Sequence, residues 1–447
     1  MAYHSAPPLT STTTCSVSRR YAWVIFALTF GLLISDYMSR QVLNAVFPLL
    51  KAEWNLSDSQ LGALGGVVAL MVGLLTFPIS LLADRWGRIK SIVVMAALWS
   101  IATLGCGLSQ SYDQMLLARL LVGIGEAAYG SVGIAVVLSV FPMHLRATLT
   151  GAFMAGAMIG SVLGIALGGI LAVHFGWRWS FAGMALLRMA MALVYLAVIR
   201  QDKIYPNQPS VTNVAPTSIP SLPQSNRVAL STLVSTHSVI CAYIGSGLQL
   251  FMVSAVMAWM PSYLNRYYGL TLDRAAGLAA VFVFSCAIGM LLCGMLSDRF
   301  SRNAPERKVI LLITFCLLSV ILLLTAFNLP NGKAQLILIA IGMFFAAGSS
   351  GPAGAMVANL TNPSVHGSAF ATLTLANNLL GLAPGPFVIG ALADRFGLHT
   401  AFQLMPLIGI FSAVVFLIAK HHYLHDLQHK RPFLSDLAGV TAQTASR

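Results

Sequence analysis

Apolar residues in this chain fall in long unbroken runs. They do not form the alternating pattern of strands or the single stripe of surface helices. Runs lie near 21–49, 60–82, 91–110, 114–140, 147–173 and 179–199. A second set lies near 236–263, 275–297, 308–329, 334–359, 367–393 and 399–420. A helix needs about 20 mostly apolar residues to cross the hydrocarbon core of a bilayer, so twelve runs predict twelve transmembrane helices. Between the sixth and seventh lies a stretch rich in Pro, Ser, Asn and Gln, which has the composition of a flexible linker. The expected organisation is an N-terminal tail over 1–20 and a six-helix bundle over 21–200. A linker over 201–227, a second six-helix bundle over 228–420 and a C-terminal tail over 421–447 complete it. The fold class is an all-α membrane protein of two pseudo-symmetric six-helix bundles.

Composition supports a lipid solvent. The chain is 57% hydrophobic and 9% charged, whereas soluble domains carry about a quarter charged residues. Its formal charge of +13 does not point to nucleic acid, because the Lys and Arg are scattered through short loops. With the N-terminus assigned to the cytoplasm, 17 of the 26 Lys and Arg fall on cytoplasmic segments and six on the other side. That bias predicts both termini in the cytoplasm of a multi-pass inner-membrane protein. The six cysteines show no metal-binding spacing and read as small buried hydrophobes. Residues 1–18 are polar and predict a disordered tail rather than a cleaved signal.

The two halves repeat. Ser57 opens the second helix in Leu56-Ser57-Asp58-Ser59-Gln60, a capping-box pattern, and that helix ends in Ala83-Asp84-Arg85-Trp86-Gly87-Arg88. Thr271 opens the eighth, which ends in Ser297-Asp298-Arg299-Phe300-Ser301-Arg302. Ser57 to Asp84 and Thr271 to Asp298 are both 27 positions. A carboxylate at a helix C-terminus opposes the helix dipole, so Asp84 and Asp298 call for partners. The partner is either a neighbouring arginine (Arg85, Arg88, Arg299, Arg302) or the N-terminus of another helix. These six residues form a candidate conformational latch.

These turns resemble the loop signature of the major facilitator superfamily, although Ser80 stands where the first copy's glycine is expected. Arg119-Leu-Leu-Val-Gly123-Ile-Gly125-Glu126-Ala127 is similar to that superfamily's helix-four arginine signature. The Gly-Glu-Ala step, Ala258-Trp259-Met260-Pro261 and Asn378-Leu-Leu-Gly381-Leu-Ala-Pro-Gly385-Pro386 resemble spinster-like transporters. Anion:cation symporters share the helix-four Arg and Glu. The resemblance implies alternating access and a proton-carrying role for Glu126. In helix one, Asp36-Tyr37-Met38-Ser39-Arg40 departs from the spinster pattern: Ser39 replaces the carboxylate, and the acid sits one turn earlier, at Asp36.

Among the 13 acidic residues, Asp36 and Glu126 fall well inside apolar spans. A carboxylate there is costly unless paired or protonated, and is usually functional. Asp36 and Arg40 are four apart; Arg119 and Glu126 are two helical turns apart, each pair on one helix face. These residues predict proton coupling through Glu126 and Asp36 and anion binding through Arg40 and Arg119. Tyr37, Tyr129, Tyr243, Gln249, Trp259, Asn377 and Asn378 are further candidate substrate-binding residues. Arg188, mid-span in helix six, has no assigned role. Gly156, Gly160, Gly164 and Gly168 make a stripe that admits a close neighbouring helix.

The expectation is a monomeric proton-coupled secondary transporter of an amphipathic or organic anion, with lysolipid-like substrates favoured. Its partners are a small-molecule substrate, protons and the lipid bilayer, with no nucleic acid, cofactor or metal. Alternatives are uptake of a hydrophilic organic acid, or a membrane receptor that does not transport. No nucleophile–base pair points to an enzyme. An apolar second-half cavity would favour a lipid, and a polar one a sugar acid.

Overall fold

Helix starts and stops follow local chemistry. At the capping box, Ser57 Oγ accepts from the Gln60 backbone N–H at 3.1 Å, and Gln60 Oε1 accepts from the Ser57 N–H at 3.0 Å. Thr271 occupies the matching N-cap without a side-chain cap bond. Gly87, Gly176 and Gly397 each end one helix and begin the next at positive φ (98°, 88° and 82°). A residue with a Cβ is strained in that conformation, which accounts for glycine at these one-residue joints.

The computed structural model describes residues 18–142, 145–199, 236–302, 304, 306–361 and 366–445, without the side chains of 84, 146, 147, 367 and 428–445. The predicted linker 201–227 and residues 1–17 lie outside the described residues. Among the described residues, twelve helices are long and apolar enough to span a bilayer. In the first half they are α1 (Arg19–Trp54), α2 (Asp58–Trp86), α3 (Arg88–Leu108), α4 (Tyr112–Val140), α5 (Arg146–Phe175) and α6 (Trp177–Val198). In the second they are α7 (His237–Tyr268), α8 (Leu272–Phe300), α9 (Glu306–Asn328), α10 (Lys333–Leu360), α11 (Ser368–Phe396) and α12 (Leu398–Leu427). Helical backbone continues beyond α12 to Ala445. Large apolar side chains such as Ile101, Leu186, Leu291 and Phe411 face outward, as they do where the surrounding medium is hydrocarbon.

An even number of crossings puts both chain ends on one face, the termini face; the opposite, far face carries the α1–α2, α7–α8 and α11–α12 joins. Within the first half, the α5 glycine stripe packs on α1: Gly156 meets Phe30, Gly160 meets Ile34 and Tyr37, and Gly168 meets Val42. Between the halves, Gly62 and Gly66 of α2 lie against the backbone of α11 at Pro386 and Ala383, and Gly169 of α5 lies against Ala276 of α8. These are close backbone approaches that a larger residue would separate.

The fourth span of each half is interrupted. In α4 the helix stops at Glu126 and resumes at Tyr129. In α10 it stops at Gly348 and resumes at Ser350. In α11 a π-helical turn spans Asn378–Leu382, followed by Pro384. Such breaks in a membrane helix are tolerated where protein or a cavity surrounds them.

Candidate functional site

Asp36 and Glu126 come together although 90 positions separate them. Asp36 lies on α1 and Glu126 at the break in α4; both are buried. Arg40, one turn along α1, bridges them: Nη2 is 3.4 Å from Asp36 Oδ2 and Nε is 2.9 Å from Glu126 Oε2. The Asp36–Arg40 pair is the one that the four-residue spacing predicts. Glu126 pairs across helices with Arg40, not along its own helix with Arg119. Asp36 Oδ1 and Glu126 Oε1 are buried and accept no hydrogen bond among the described residues. The two carboxyls are close enough to act on each other directly.

Arg119 is 2% exposed. Its Nε donates to the Leu64 carbonyl oxygen at 3.2 Å, and no carboxylate pairs with it among the described residues. Burying a guanidinium is costly unless its charge is answered, so this arginine faces its site with charge to spare.

Arg119 lines a cavity of about 150 Å³ between the halves. Its first-half wall holds Tyr37, Arg40, Gln41, Asn44, Val68 and Arg119; its second-half wall holds Ser254, Met257, Ala258, Leu382 and Pro386. Asn44 Nδ2 donates to Gln41 Oε1 at 2.7 Å. One wall is therefore cationic and polar, and the other mostly apolar.

Other predicted residues sit elsewhere. Tyr129 is buried inside the first half; its hydroxyl donates to the Thr29 carbonyl oxygen at 2.7 Å and its ring meets Trp99 edge-on at 4.8 Å. Trp259 stands behind the cavity wall, donating to the Pro386 carbonyl oxygen at 2.9 Å and packing on Phe47 at 5.1 Å. Tyr243 and Gln249 are buried in the second half, and the Tyr243 hydroxyl and both Gln249 amide atoms have no hydrogen-bond partner among the described residues. Asn377 and Asn378 lie at the start of the π-helical turn. Asn378 donates to the Thr374 carbonyl oxygen at 2.9 Å and packs on Gly73 of α2.

On the termini face, Asp298 is 3.2 Å from Lys308 of its own half, and Arg85, Arg299 and Arg302 are exposed. Asp84 and Asp298 each lie two residues before their helix ends, at Trp86 and Phe300, as the matched spacing predicts. The Asp84 side chain lies outside the described ones.

Polar contacts between the halves gather instead on the far face, around Asp58, which is 3% exposed. Arg266 of α7 grips it with two hydrogen bonds of 2.7 Å, and Lys51 Nζ lies 2.5 Å away. Asp394 of α11 accepts from the backbone N–H groups of Asp58 and Ser59 at 2.6 and 2.9 Å. A carboxylate from one half thus caps the positive end of a helix from the other. The sequence held a signal for this: Ala393-Asp394-Arg395-Phe396-Gly397 repeats the pattern of Ala83-Asp84-Arg85-Trp86-Gly87.

Comparison with known proteins supplies the family. A family profile described as Major Facilitator Superfamily matches residues 29–329 and 242–440. A hexuronate transporter of Bacillus subtilis is 21% identical over 427 residues, covering 94% of this chain and 97% of its own. An Arabidopsis thaliana protein described as "Probable sphingolipid transporter spinster homolog 2" is 26% identical over 396 residues, covering 84% of this chain and 80% of its own. A crystal structure of a bacterial homolog of the human lysosomal transporter Spinster, inward-facing and unoccupied, superposes with a TM-score of 0.79. It is 20% identical, and the match covers 92% of this chain and 99% of that one; at that identity it speaks to the fold.

Proposed function

Because this chain belongs to the major facilitator superfamily, whose members are transporters, we propose that it is a proton-coupled carrier of an amphipathic organic anion, with lysolipid-like molecules favoured. Arg119 carries this reading. No carboxylate pairs with its guanidinium among the described residues, and it lines a cavity whose opposite wall is Ser254, Met257, Ala258, Leu382 and Pro386. An anionic headgroup satisfies the arginine in two-pronged fashion, and an apolar portion fits the second-half wall. Arg40 adds a second cation at the same cavity.

Glu126 and Asp36 are the proton carriers. With both ionised they outweigh Arg40, and each has an oxygen without a donor. A proton on either carboxyl turns one such acceptor into a donor, so protonation changes what Arg40 is free to hold. Substrate and proton then meet at one arginine, which is the coupling. The Lys and Arg bias supports cytoplasmic termini; on that reading the far face, where the halves are joined, is the outer one, and alternating access exchanges that joint for one on the termini face.

The second reading is uptake of a hydrophilic organic acid. Gln41 and Asn44 favour it, since both line the cavity and suit hydroxyl groups, and one relative is described as a hexuronate transporter. The test is uptake and efflux in proteoliposomes under an imposed pH gradient, with lysolipids and sugar acids in parallel. Gradient-driven movement of lysolipid but not sugar acid is expected. Movement of sugar acid alone selects the second reading, and movement of neither under any gradient rejects both.

A further inference from the structure

The carrier cycle uses Asp36, Arg40, Arg119 and Glu126 and gives Arg188 no task. Arg188 lies mid-way along α6 and is 0% exposed, while Leu186 and Leu187 beside it face outward. It does not reach the interface as a snorkelling arginine does. Its donors are spent inside the first half. Nη2 donates to the Ser35 carbonyl oxygen at 2.5 Å, Nε to Ser35 Oγ at 3.2 Å, and Nη1 to Thr103 Oγ1 at 3.4 Å. The guanidinium lies over the Trp99 ring at 5.3 Å. None of these partners is charged.

A guanidinium stays protonated at any working pH, so this buried charge is permanent and needs an answer. Glu126 and Asp36 lie within electrostatic reach of it. Ser35 immediately precedes Asp36, so the bond to the Ser35 carbonyl also fixes the turn of α1 from which Asp36 projects. We infer that Arg188 is a positioning residue and the fixed counter-charge of the Asp36–Glu126 pair. It pins the Asp36 turn and keeps at least one of the two carboxyls ionised between proton transfers. The inference rests on the reading of that pair as the proton carrier.

Counting charge shows why this matters. Asp36 and Glu126, both ionised, balance Arg40 and Arg188. Without Arg188 the same two carboxylates face one cation, and the pair binds its proton more tightly. Other ionisable groups facing the cluster do not replace it. From α1 comes Tyr37, from α3 Cys106, from α4 Arg119 and Tyr129, and from α6 itself Tyr195. Phenols and thiols are neutral at neutral pH; Arg119 acts on Glu126 as well, but it also lines the cavity, where the proposed substrate anion answers its charge. On α5 the titratable residue with a described side chain, His174, stands in its last turn.

The test is an infrared titration of the buried carboxyl C=O band in the full-length protein in lipid nanodiscs. The band is assigned by its change in Glu126→Gln and Asp36→Asn. Arg188→Met removes the charge at similar length, Arg188→Gln removes it but retains hydrogen bonding, and Arg188→Lys retains it. Both neutral variants should shift the midpoint to higher pH by about one unit or more, the size of effect a nearby opposite charge exerts. Arg188→Lys should stay near wild type. An unchanged midpoint in a folded, monodisperse neutral variant overturns the inference and leaves the proton-carrier reading standing. A wild-type band that does not titrate removes that reading and the role of Arg188 with it. If the neutral variants do not fold, the pair Arg188→Gln with Glu126→Gln, which deletes one charge of each sign, should restore monodisperse protein. Failure of that pair also overturns the inference.

Discussion

Among the described residues, Arg119 is held by one carbonyl oxygen, that of Leu64, through Nε. On the proposed reading, the two outer nitrogens are left for the anion. Arg119→Lys keeps the positive charge but offers a compact ammonium instead of a planar fork. We predict at least a tenfold loss of substrate affinity in this variant, about 1.4 kcal/mol, read by equilibrium binding in detergent or nanodiscs. A charge-assisted hydrogen bond contributes about 1.5–3 kcal/mol, so loss of one prong suffices. Unchanged affinity would show that Arg119 serves packing. The embedded residues Asp36, Arg40, Arg119 and Glu126 were legible in the sequence, because a charge inside an apolar run stands out against its surroundings. Their pairing was only half legible. The Asp36–Arg40 contact follows from helix geometry, whereas Arg40–Glu126 depends on how α1 and α4 pack, and no spacing within one helix encodes that. Gln41 and Asn44 escaped notice because uncharged polar residues on a membrane helix carry no comparable signal.

The joint between α2 and α11 shows the same limit one level up. Its surfaces are small residues, Gly62 and Gly66 against the backbone at Pro386 and Ala383, so the helices touch closely and polar groups at their ends meet. Asp58 then receives Arg266 and Lys51, and Asp394 caps α2. A helix-end carboxylate capping a helix of the other half is the arrangement that the sequence suggested for Asp84. Among described side chains it occurs at Asp394, on the other face. The duplicated spacing drew attention to Asp84 and Asp298, while the matching pentapeptide at Asp394 lay outside that spacing. Asp58→Asn keeps the N-terminal position and shape but removes the charge that Arg266 and Lys51 share. Because Arg266 and Lys51 are partly exposed, solvent screens the pairs; even so, about 1.4 kcal/mol would shift the population towards an open far face about tenfold. Spin labels at Asn55→Cys and His399→Cys, across the joint, should report longer and broader distances in the Asp58→Asn background. Identical distance distributions would show that backbone packing alone keeps this face closed.

At the scale of the whole molecule, the bilayer made most of the architecture legible. Hydrocarbon thickness fixes the length of each span, and every span in the sequence reading corresponds to a helix in the structure. The repeat within the chain made the two halves legible as well. What the sequence could not give was the interface between the halves, where residues far apart in number meet and where transport must happen. Proton coupling is a property at this scale, because it requires that protonation of one half alter how the halves exchange faces. Asp36 and Glu126 both lie in the first half, and their arginine partner Arg40 lines the cavity shared with the second. Glu126→Gln keeps size and hydrogen bonding but fixes the neutral state. It should still bind substrate and exchange it by counterflow, which needs no net protonation cycle, yet lose uphill transport driven by a proton gradient. Asp36→Asn should be milder, since Arg40 lies nearer to Glu126 (2.9 Å) than to Asp36 (3.4 Å). The double variant should abolish coupling. If vesicles carrying the double variant still concentrate substrate with a proton gradient as the sole driving force, the two carboxylates are packing elements and the proton enters elsewhere.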